Sequence, residues 1–202
     1  FNKDLNILIK KFNPKNIFKT KSFNIKTNNK KKKIFEFYEV LIKKNFSIKK
    51  LDKRVSVLIA TSGSSGNSKF VALSRKNILS NTQSIIKYLS LKSTDQTITT
   101  LDLNYSYGFS ILNTHIFVGA SIVVTKRSLI EKEFWDIFNN NKITNLSGVP
   151  SIYHIIKRFK FFKNFSNKIR FLTAAGGKLD IETLKYFTKK MYKKGNDFFY
   201  MY

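Results

Sequence analysis

The sequence predicts an α/β domain in which alternating strands and helices form a largely parallel sheet. From Val55 onward, short β-branched runs alternate with longer segments whose apolar residues follow helical spacing. Strands that alternate with helices need crossover connections, which make neighbouring strands parallel and place the helices on the faces of the sheet. With 202 residues and a hydrophobic content of 42%, the chain is long and apolar enough to bury one such core.

The first predicted elements run from Val55 to Phe117. Val55–Ala60 is short, apolar and β-branched, and is therefore predicted to be a buried strand. After a Ser/Gly-rich loop, Ser74 is suited to cap a helix, because its hydroxyl can accept from a free N–H group of the first turn. The apolar positions of that helix follow helical spacing: Ile78, Thr82, Ile85, Ile86 and Leu89. A strand at Thr97–Leu101 and a mostly apolar helix at Phe109–Phe117 come next.

The second half of the chain repeats this alternation. Gly119 separates a helix from a strand, Pro150 fits the first turn of a helix, and Asp180 can cap another that stops at Gly195. The predicted order is strand Ser121–Thr125, helix Glu131–Phe138, strand Ile143–Leu146, helix Ser151–Phe159, strand Ile169–Thr173, helix Ile181–Met191 and strand Phe198–Tyr202. In a parallel sheet ligands bind beyond the carboxyl ends of the strands. The small-residue loops after Ala60, Leu101 and Thr173 are therefore the candidate binding segments.

Two regions are predicted along the chain. Residues 1–50 resemble the tail of a preceding α/β subdomain, with Leu5, Leu8, Ile9 and Phe12 at helical spacing. The run Lys30–Lys33 lies in a Lys/Asn-rich stretch that is predicted to be a solvated loop. Residues 51–202 are predicted to form the core of the domain.

The net charge is the strongest compositional feature. The chain has 38 Lys and Arg against 12 Asp and Glu, a formal charge of +26. Such a charge is compatible with binding to nucleic acid or to an anionic membrane surface. However, the basic residues are spread along the whole chain, and most are Lys rather than the Arg that bidentate phosphate and base recognition favours. We therefore expect no nucleic-acid partner, and keep a basic binding protein only as an alternative.

Composition also excludes several chemistries. The chain has no cysteine, which rules out disulfides, zinc–thiolate sites and a cysteine nucleophile, and its two histidines, His115 and His154, are predicted to be ordinary core or surface residues. No leader-like segment is visible at the N-terminus. The most apolar window, 109–124, is interrupted by polar residues and is shorter than the ~20 residues of a membrane span. We expect a soluble cytoplasmic protein without a transmembrane segment.

The stretch "VLIATSGSSGNSKFVALS", residues 57–74, has the composition of a phosphate-binding loop. Gly63 and Gly66 allow backbone conformations that point N–H groups at an anion, the hydroxyl residues add donors, and Lys69 adds one positive charge. A Walker loop does not fit, because that pattern requires Gly-Lys-Ser/Thr, whereas Lys69 lies between Ser68 and Phe70. We therefore expect neither a GTPase nor an ordinary P-loop ATPase.

Five segments, in order, resemble the adenylate-forming (AMP-binding) superfamily, which includes acyl-CoA synthetases. "TSGSSGNSK" resembles its Thr/Ser/Gly-rich phosphate loop, and "LDLNYSYGFS" resembles its aromatic acyl-site segment. "GVPS" resembles a Val-Pro-Ser/Thr helix start, and "LTAAGGKLD" resembles the Gly-rich turn of the adenine pocket. "FFYMY" resembles the strand that leads into a Tyr-Gly-x-Thr-Glu motif. The similarity is greatest to ligases of the acyl-CoA synthetase type.

The resemblance implies a two-step ligase. A small carboxylic acid attacks ATP to give an acyl-adenylate, and the thiol of coenzyme A or of a phosphopantetheinyl acyl carrier protein then takes the acyl group. Residues whose role would be to hold the β- and γ-phosphates are Thr61, Ser62, Gly63, Ser64, Ser65, Gly66 and the catalytic Lys69. Residues that would form the adenine wall are Ala175, Gly176 and Gly177, with Tyr202 stacked on the base. Residues that would border the carboxylate substrate are Tyr105, Tyr107 and Gly108.

The chain also departs from the pattern of this family. Asp102 and Tyr105 stand where the family often has Pro and His, and Lys178 stands where many members have Glu or Pro. The Mg²⁺-binding Glu is expected beyond Tyr202, and with it the rest of the large domain and a small C-terminal domain. We therefore expect an incomplete part of the large domain, inactive on its own. An inactive remnant remains a further alternative.

Overall fold

A computed structural model describes residues 16–20, 29–35, 38–43, 52–61, 69–165 and 168–201. The chain divides into two compact units, residues 1–53 and 54–202. The unit formed by residues 54–202 contains the predicted alternation of strands and helices, and it is the unit that bears on function.

The strands of residues 1–53 form a small antiparallel sheet. Its strands are β1 (Asn16–Thr20), β2 (Asn29–Phe35) and β3 (Tyr38–Lys43), and β3 lies between the other two. The predicted loop at Lys30–Lys33 is wrong, because these residues belong to β2 and pair with Glu39–Ile42 of β3. A lysine run is compatible with a strand when the backbone finds a partner, which sequence composition does not reveal. The helical spacing predicted within residues 5–12 falls outside the described residues.

The second unit begins with a two-stranded antiparallel pair and a helix. Strand β4 (Val55–Thr61) pairs with β5 (Lys69–Ser74), and helix α1 (Arg75–Leu89) follows directly. The prediction that Val55–Ala60 is buried is wrong, since its described side chains are half-buried or exposed. The reason is its partner, because β4 pairs with β5 alone and lies outside the parallel sheet. The predicted cap of α1 is confirmed: Ser74 Oγ accepts from the Asn77 backbone N–H at 3.1 Å.

The remaining elements alternate as predicted. In chain order they are β6 (Gln96–Ile98), α2 (Ser106–Val118), β7 (Ser121–Val123), α3 (Lys132–Asn140), β8 (Asn145–Gly148), α4 (Pro150–Arg158), a 3₁₀ turn (Phe161–Asn164), β9 (Phe171–Ala174), α5 (Ile181–Tyr192) and β10 (Asp197–Tyr200). Strands β6, β7, β9 and β10 are shorter than predicted, β8 keeps its predicted length, and β8 and β9 each start two residues later. Some apolar residues next to these strands are buried in the core but do not pair with a neighbouring strand. Because strands were predicted from hydrophobicity, these residues were included in the predicted strands.

Five strands form one sheet in the order β10–β9–β8–β6–β7, and every neighbouring pair is parallel. The predicted parallel sheet is confirmed. Residues alternate between its faces along β9, so that Phe171 packs with α1 and α2 while Leu172 packs with α3, α4 and α5. The second face holds the larger core, in which Trp135 and Phe138 have ring centroids 5.4 Å apart. Helices on both faces explain why β8 and β9 are buried along their whole length.

Candidate functional site

The order of the strands defines where a ligand site is expected. The chain leaves β6 for β7 at one edge, then returns past β6 to β8 and continues outward to β9 and β10. The direction of winding therefore reverses between β6 and β8. In open α/β sheets, the crevice beyond the carboxyl ends of the strands at such a reversal is the usual ligand site. The loops that border this crevice begin at Thr99 and at Val149.

Three predicted segments meet at this crevice. Tyr105 is the N-cap residue of α2, which follows β6, and Gly176 lies in the turn after β9. A Cβ atom placed on Gly176 would lie 3.0 Å from Tyr105 Oη and 3.3 Å from Val149 Cγ1. Gly176 also has φ = +81°, a conformation in which glycine is favoured. The tertiary fold thus brings together segments 101–110, 148–151 and 172–180.

The glycine-rich turn offers an exposed backbone edge. Ala175 is half-buried, and Gly176 and Gly177 are exposed. A Cβ atom on Gly177 would contact Pro150 Cγ at 3.4 Å, which is an ordinary contact. Without side chains on two successive residues, a planar ring can approach this turn closely.

Gly108 has a packing role in the first turn of α2. It is buried, and a Cβ atom placed there would collide with the backbone carbonyl of Asp102. The absence of a side chain therefore lets the loop after β6 fold tightly against the helix. This close approach fixes the position of Tyr105 at the start of α2.

Tyr107 lies deeper than Tyr105 and is hydrogen-bonded to the sheet. Its hydroxyl lies 3.1 Å from the Thr173 carbonyl and 2.6 Å from Thr173 Oγ1. Thr173 Oγ1 in turn donates to Ser147 Oγ at 2.8 Å. Burial raises the pKa of Tyr107 to about 12, although its hydrogen bonds to Thr173 act in the opposite direction. Tyr107 is therefore a neutral phenol at physiological pH, held above β8 and β9.

A small cavity lies below Tyr107, between α2 and the sheet. It has a volume of about 50 Å³. Helix positions one turn apart form its roof, and alternate residues of β8 and β9 form its floor. The residues that line it are Ile85, Leu89, Tyr107, Ser110, Ile111, Thr114, His115, Asn145, Ser147, Phe171, Thr173 and Met201.

A histidine–asparagine pair closes the far end of this cavity. His115 Nδ1 lies 2.8 Å from the Ile111 carbonyl, so it carries the proton and donates it there. His115 Nε2 is then the acceptor for Asn145 Nδ2, at 3.3 Å. Burial lowers the pKa of His115, which agrees with a neutral ring. Asn145 Oδ1 is buried and has no hydrogen-bond partner among the residues that the structure describes.

A wider and more open pocket lies at the carboxyl ends of β6 and β7. Its volume is about 830 Å³, and it is lined by residues 99–103, Tyr105 and residues 124–127. Arg127 contributes positive charge but is paired with Glu131 at 3.1 Å. Tyr105 lines this pocket and also contacts the glycine turn, so it stands between the two.

The phosphate-loop residues are only partly described. Thr61 ends β4 and Lys69 begins β5, and the two are paired across the hairpin. This pairing brings the two ends of the loop together. Ser62, Gly63, Ser64, Ser65 and Gly66 lie outside the described residues, as does Tyr202.

Sequence reasoning missed the polar groups beneath Tyr107. Ser147, Thr173, Asn145 and His115 are core positions of strands and a helix, and polar residues there resemble ordinary structural ones. One signal was available, since Asn145, Ser147 and Thr173 are polar residues within otherwise apolar strands. Polar side chains in buried strands require partners, and this need marks them as candidates.

The described residues show neither a metal-binding cluster nor a membrane-spanning helix. Within the described ranges, no group of three or more histidine and carboxylate side chains is arranged to hold a metal ion. Among the same residues, no helix combines the length and hydropathy needed to cross a membrane. No described residue is therefore assigned to Mg²⁺.

Comparison with curated proteins gives two partial similarities. The chain is 31% identical over 138 residues to acyl-CoA synthetase ALT10 of Alternaria alternata, covering 65% of this chain and 24% of that protein. It is 37% identical over 78 residues to a very long-chain fatty acid transport protein of Cochliobolus heterostrophus, covering 39% of this chain and 12% of that protein. The matched regions thus span a quarter or less of the length of these relatives.

Solved structures share the fold at low sequence identity. The N-terminal domain of FACL13 from Mycobacterium tuberculosis has a TM-score of 0.61 at 14% identity, covering 72% of this chain and 35% of that chain. O-succinylbenzoate coenzyme A synthetase (MenE) from Bacillus subtilis, in complex with AMP, has a TM-score of 0.59 at 22% identity, with coverages of 71% and 29%. McyG A-PCP with phenylalanyl-adenylate has a TM-score of 0.59 at 20% identity, with coverages of 76% and 29%.

Family membership rests on the longest match. The pattern of the family described as AMP-binding enzyme matches residues 11–202, which includes all five segments that resemble it. The α/β fold with its parallel sheet agrees with the solved neighbours. The chain therefore belongs to the AMP-binding enzyme family.

Proposed function

We propose that this chain serves in the ATP-dependent activation of a carboxylic acid as an acyl-adenylate, followed by transfer of the acyl group to a thiol. The observation that carries the proposal is the convergence of Tyr105, Val149 and Gly176 at the reversal point of the sheet. These residues come from three separate segments, each of which resembles a segment of the family. Membership of the AMP-binding enzyme family supports the same chemistry.

The proposed reaction has two balanced steps. A carboxylate oxygen forms a bond to the α-phosphorus of ATP while the bond from that phosphorus to the β-phosphate breaks, which releases pyrophosphate. A thiol then attacks the acyl carbon, the bond to AMP breaks, and the thiol proton passes to solvent. Each step depends on neutralising phosphate charge and on aligning the attacking group with the leaving group.

We propose the residue roles that the resemblance of these segments to the family implies. The phosphate loop and Lys69 bind the β- and γ-phosphates, and the turn Ala175–Gly177 forms one wall for the adenine, on which Tyr202 stacks. Tyr105, Tyr107 and Gly108 border the carboxylic acid. The exposed, side-chain-free edge at Gly176 and Gly177 is compatible with a planar base.

The acyl acceptor is proposed as coenzyme A or the phosphopantetheine of a carrier protein. MenE is described as a coenzyme A synthetase, and McyG A-PCP was solved with an aminoacyl-adenylate. Mg²⁺, which would neutralise phosphate charge, has no proposed ligand among the described residues. No step proposed here depends on it.

The test is carboxylate-dependent exchange of pyrophosphate into ATP, with the protein expressed from its whole reading frame. Lys69 is the only cation in a loop of neutral donors, so we expect Lys69→Ala to lower the exchange rate about a hundredfold or more. The melting temperature should not change. A matched control is Lys87→Ala. Lys87 is an exposed lysine in the last turn of α1. That turn precedes β6 and therefore lies near the amino ends of the strands, away from the proposed ligand site.

Two outcomes would contradict the proposal. Exchange at the wild-type rate in Lys69→Ala would show that this loop does not bind the phosphates. Absence of exchange with every acid tested, in a folded wild-type protein, would favour the alternative of an inactive remnant.

A further inference from the structure

We infer that the acid activated at this site is a short hydroxy acid of three or four carbons, whose terminal hydroxyl donates to Asn145 Oδ1. This inference rests on the proposed function, and it concerns the cavity beneath Tyr107.

The cavity extends from Tyr107, one of the residues proposed to border the acid, to the interior of the sheet. Its outer end is formed by Tyr107, Thr173 and Met201, which lie near the carboxyl ends of the strands. Its inner end is formed by Asn145 and Phe171, the first residues of β8 and β9. Two residues of strand separate these ends, a depth of about 7 Å. An acid whose carboxylate lies at the crevice can therefore extend its chain inward.

The size of the cavity limits the acyl chain. A volume of about 50 Å³ accommodates about three to four water-sized groups. That is enough for two or three methylene groups and one hydroxyl beyond the carboxyl group. Long fatty chains do not fit unless α2 moves away from β8 and β9, which would break the bond between Tyr107 and Thr173.

The polarity of the inner end selects a hydrogen-bond donor. Asn145 is fully buried, its amide nitrogen donates to His115 Nε2, and its Oδ1 has no partner among the described residues. A buried acceptor without a donor is destabilising, so a group that supplies one gains binding free energy. A terminal methyl group at the same place would leave Oδ1 unsatisfied.

The charge of the surroundings favours a hydroxyl over an ammonium group. None of the described residues that line the cavity has a carboxylate. The titratable ring of His115 is kept neutral by burial, which lowers its pKa, although its bond to the Ile111 carbonyl acts in the opposite direction. The carboxylate of Asp95 acts on His115 from outside the cavity, but it is already paired with Arg170 at 2.6 Å. A buried cation in the cavity would therefore be without a free counter-charge, and this would be costly. A neutral hydroxyl group is small enough for the cavity and needs no counter-charge.

The experiment compares pairs of acids that differ by a hydroxyl or a methyl group at one end. The pairs are 3-hydroxypropionate with butyrate and 4-hydroxybutyrate with pentanoate, with decanoate and 4-aminobutyrate as length and charge probes. We expect kcat/KM for pyrophosphate exchange to be about tenfold higher for the hydroxy acid of a pair, as one neutral hydrogen bond allows. Binding of each acid is also measured by calorimetry, without turnover.

Two variants test the role of the cavity. Asn145→Leu removes the acceptor and should abolish the preference for the hydroxy acid. If that variant does not fold, Ser110→Val is the second test, because it fills the cavity from α2 and should lower kcat/KM for the preferred acid at least tenfold. Its control is Ser84→Val, an exposed serine of α1 whose hydroxyl donates to a helix carbonyl as Ser110 does.

The outcomes separate the two proposals. Exchange that favours pentanoate or decanoate over the hydroxy acids would overturn this inference and leave the proposed function intact. Calorimetric binding of a hydroxy acid without any exchange would support the cavity as its site and contradict the proposed function. Neither exchange nor binding would overturn both.

Discussion

The conformation of the Gly-rich turn after β9 depends on the absence of a Cβ atom at Gly176. Its φ of +81° disfavours any side chain, and its Cα faces the Tyr105 hydroxyl. Gly119, the C-cap of α2, has a similar φ of +73° but has nothing within 4 Å of an added Cβ. A substitution at Gly119 therefore measures the energetic cost of the backbone conformation alone. The same substitution at Gly176 adds the cost of steric contact with Tyr105.

We predict that Gly176→Ala destabilises the fold more than Gly119→Ala does. The φ penalty alone is about 1–2 kcal/mol at either position. The methyl group at Gly176 must also displace Tyr105, which adds to the loss and should alter the acid preference in the exchange assay. Urea unfolding of both variants measures the difference. Equal losses in the two variants, with an unchanged acid ranking, would show that Tyr105 moves aside freely.

Tyr107 links the helix to the sheet through one hydroxyl. We predict that Tyr107→Phe lowers the free energy of unfolding by about 1 kcal/mol at pH 8, the net value of a typical hydrogen bond. The pKa of Tyr107 rises from its ordinary 10.0 to about 12 in the folded protein. The folded state therefore holds this proton more tightly, and its stabilising contribution declines as the pH rises from 10 through 12. The measurement is the unfolding free energy against pH for wild type and variant.

The control for this experiment is Tyr192→Phe, since Tyr192 is 80% exposed in the last turn of α5. That variant should match wild type at pH 8. If Tyr107→Phe showed the same alkaline slope as wild type, the link between Tyr107 and the sheet would be refuted.

At the scale of elements, Asp95 connects the starts of three strands. Its carboxylate accepts from Arg170 at 2.6 and 2.8 Å, from Thr144 Oγ1 at 2.8 Å and from the Lys92 N–H at 2.8 Å. Arg170 precedes β9, Thr144 precedes β8, and Asp95 itself precedes β6. The buried carboxylate therefore aligns the amino edge of the sheet, opposite the proposed ligand site.

We predict that Asp95→Asn costs about 3 kcal/mol at neutral pH, because it leaves a part-buried guanidinium without its charge partner. Burial alone would raise the pKa of Asp95, but hydrogen bonds from Arg170, Lys92 and Thr144 hold it below the ordinary 3.8. The carboxylate therefore stabilises the fold above pH 3.8, and this contribution is lost as the pH falls through the lowered pKa. Melting temperatures from pH 7 to pH 2 should show the two proteins converge in acid.

A useful comparison is Glu131→Gln, which removes an exposed ion pair between Arg127 and the N-cap residue of α3. Exposed pairs contribute little to stability, so this variant should resemble wild type throughout. If the difference in melting temperature between wild type and Asp95→Asn were the same at pH 2 as at pH 7, the ionised carboxylate of Asp95 could not be its cause.

At the scale of the whole molecule, stability is concentrated in the middle of the parallel sheet. Strands β8 and β9 have a neighbour on each side and helices on both faces, and all eight of their residues are buried. The hairpin of β4 and β5 has only one ladder, and its described side chains are half-buried or exposed. These differences should appear as differences in local opening.

We predict that amide hydrogen exchange is slowest in β8 and β9 and markedly faster in β4 and β5. Exchange of the central strands should approach the rate set by global unfolding, whereas the hairpin opens locally. Mass spectrometry of peptides that cover residues 145–148, 171–174 and 55–61 measures this order. Protection of the hairpin equal to that of the central strands would show that both belong to one cooperative unit.

Much of the fold followed from local patterns. The capping residues Ser74 and Asp180 and the positions of Gly119 and Pro150 act within one or two turns, and each lies at a helix boundary in the structure. Alternation of strand and helix patterns predicted the parallel sheet. The strand β5 was not predicted, and Val55–Ala60 was misjudged as buried, because the pairing partner of a strand is not encoded in its own residues.

The sequence by itself therefore determined the succession of elements, the composition of the phosphate loop and the placement of small-residue segments after strands. The tertiary structure alone decided that Tyr105 meets Gly176, and that Tyr107 bonds to Thr173 while His115 pairs with Asn145 around a small cavity. These contacts join residues 30 to 71 positions apart. Helix periodicity and capping extend over a few residues only, so such contacts depend on the order of strands in the sheet.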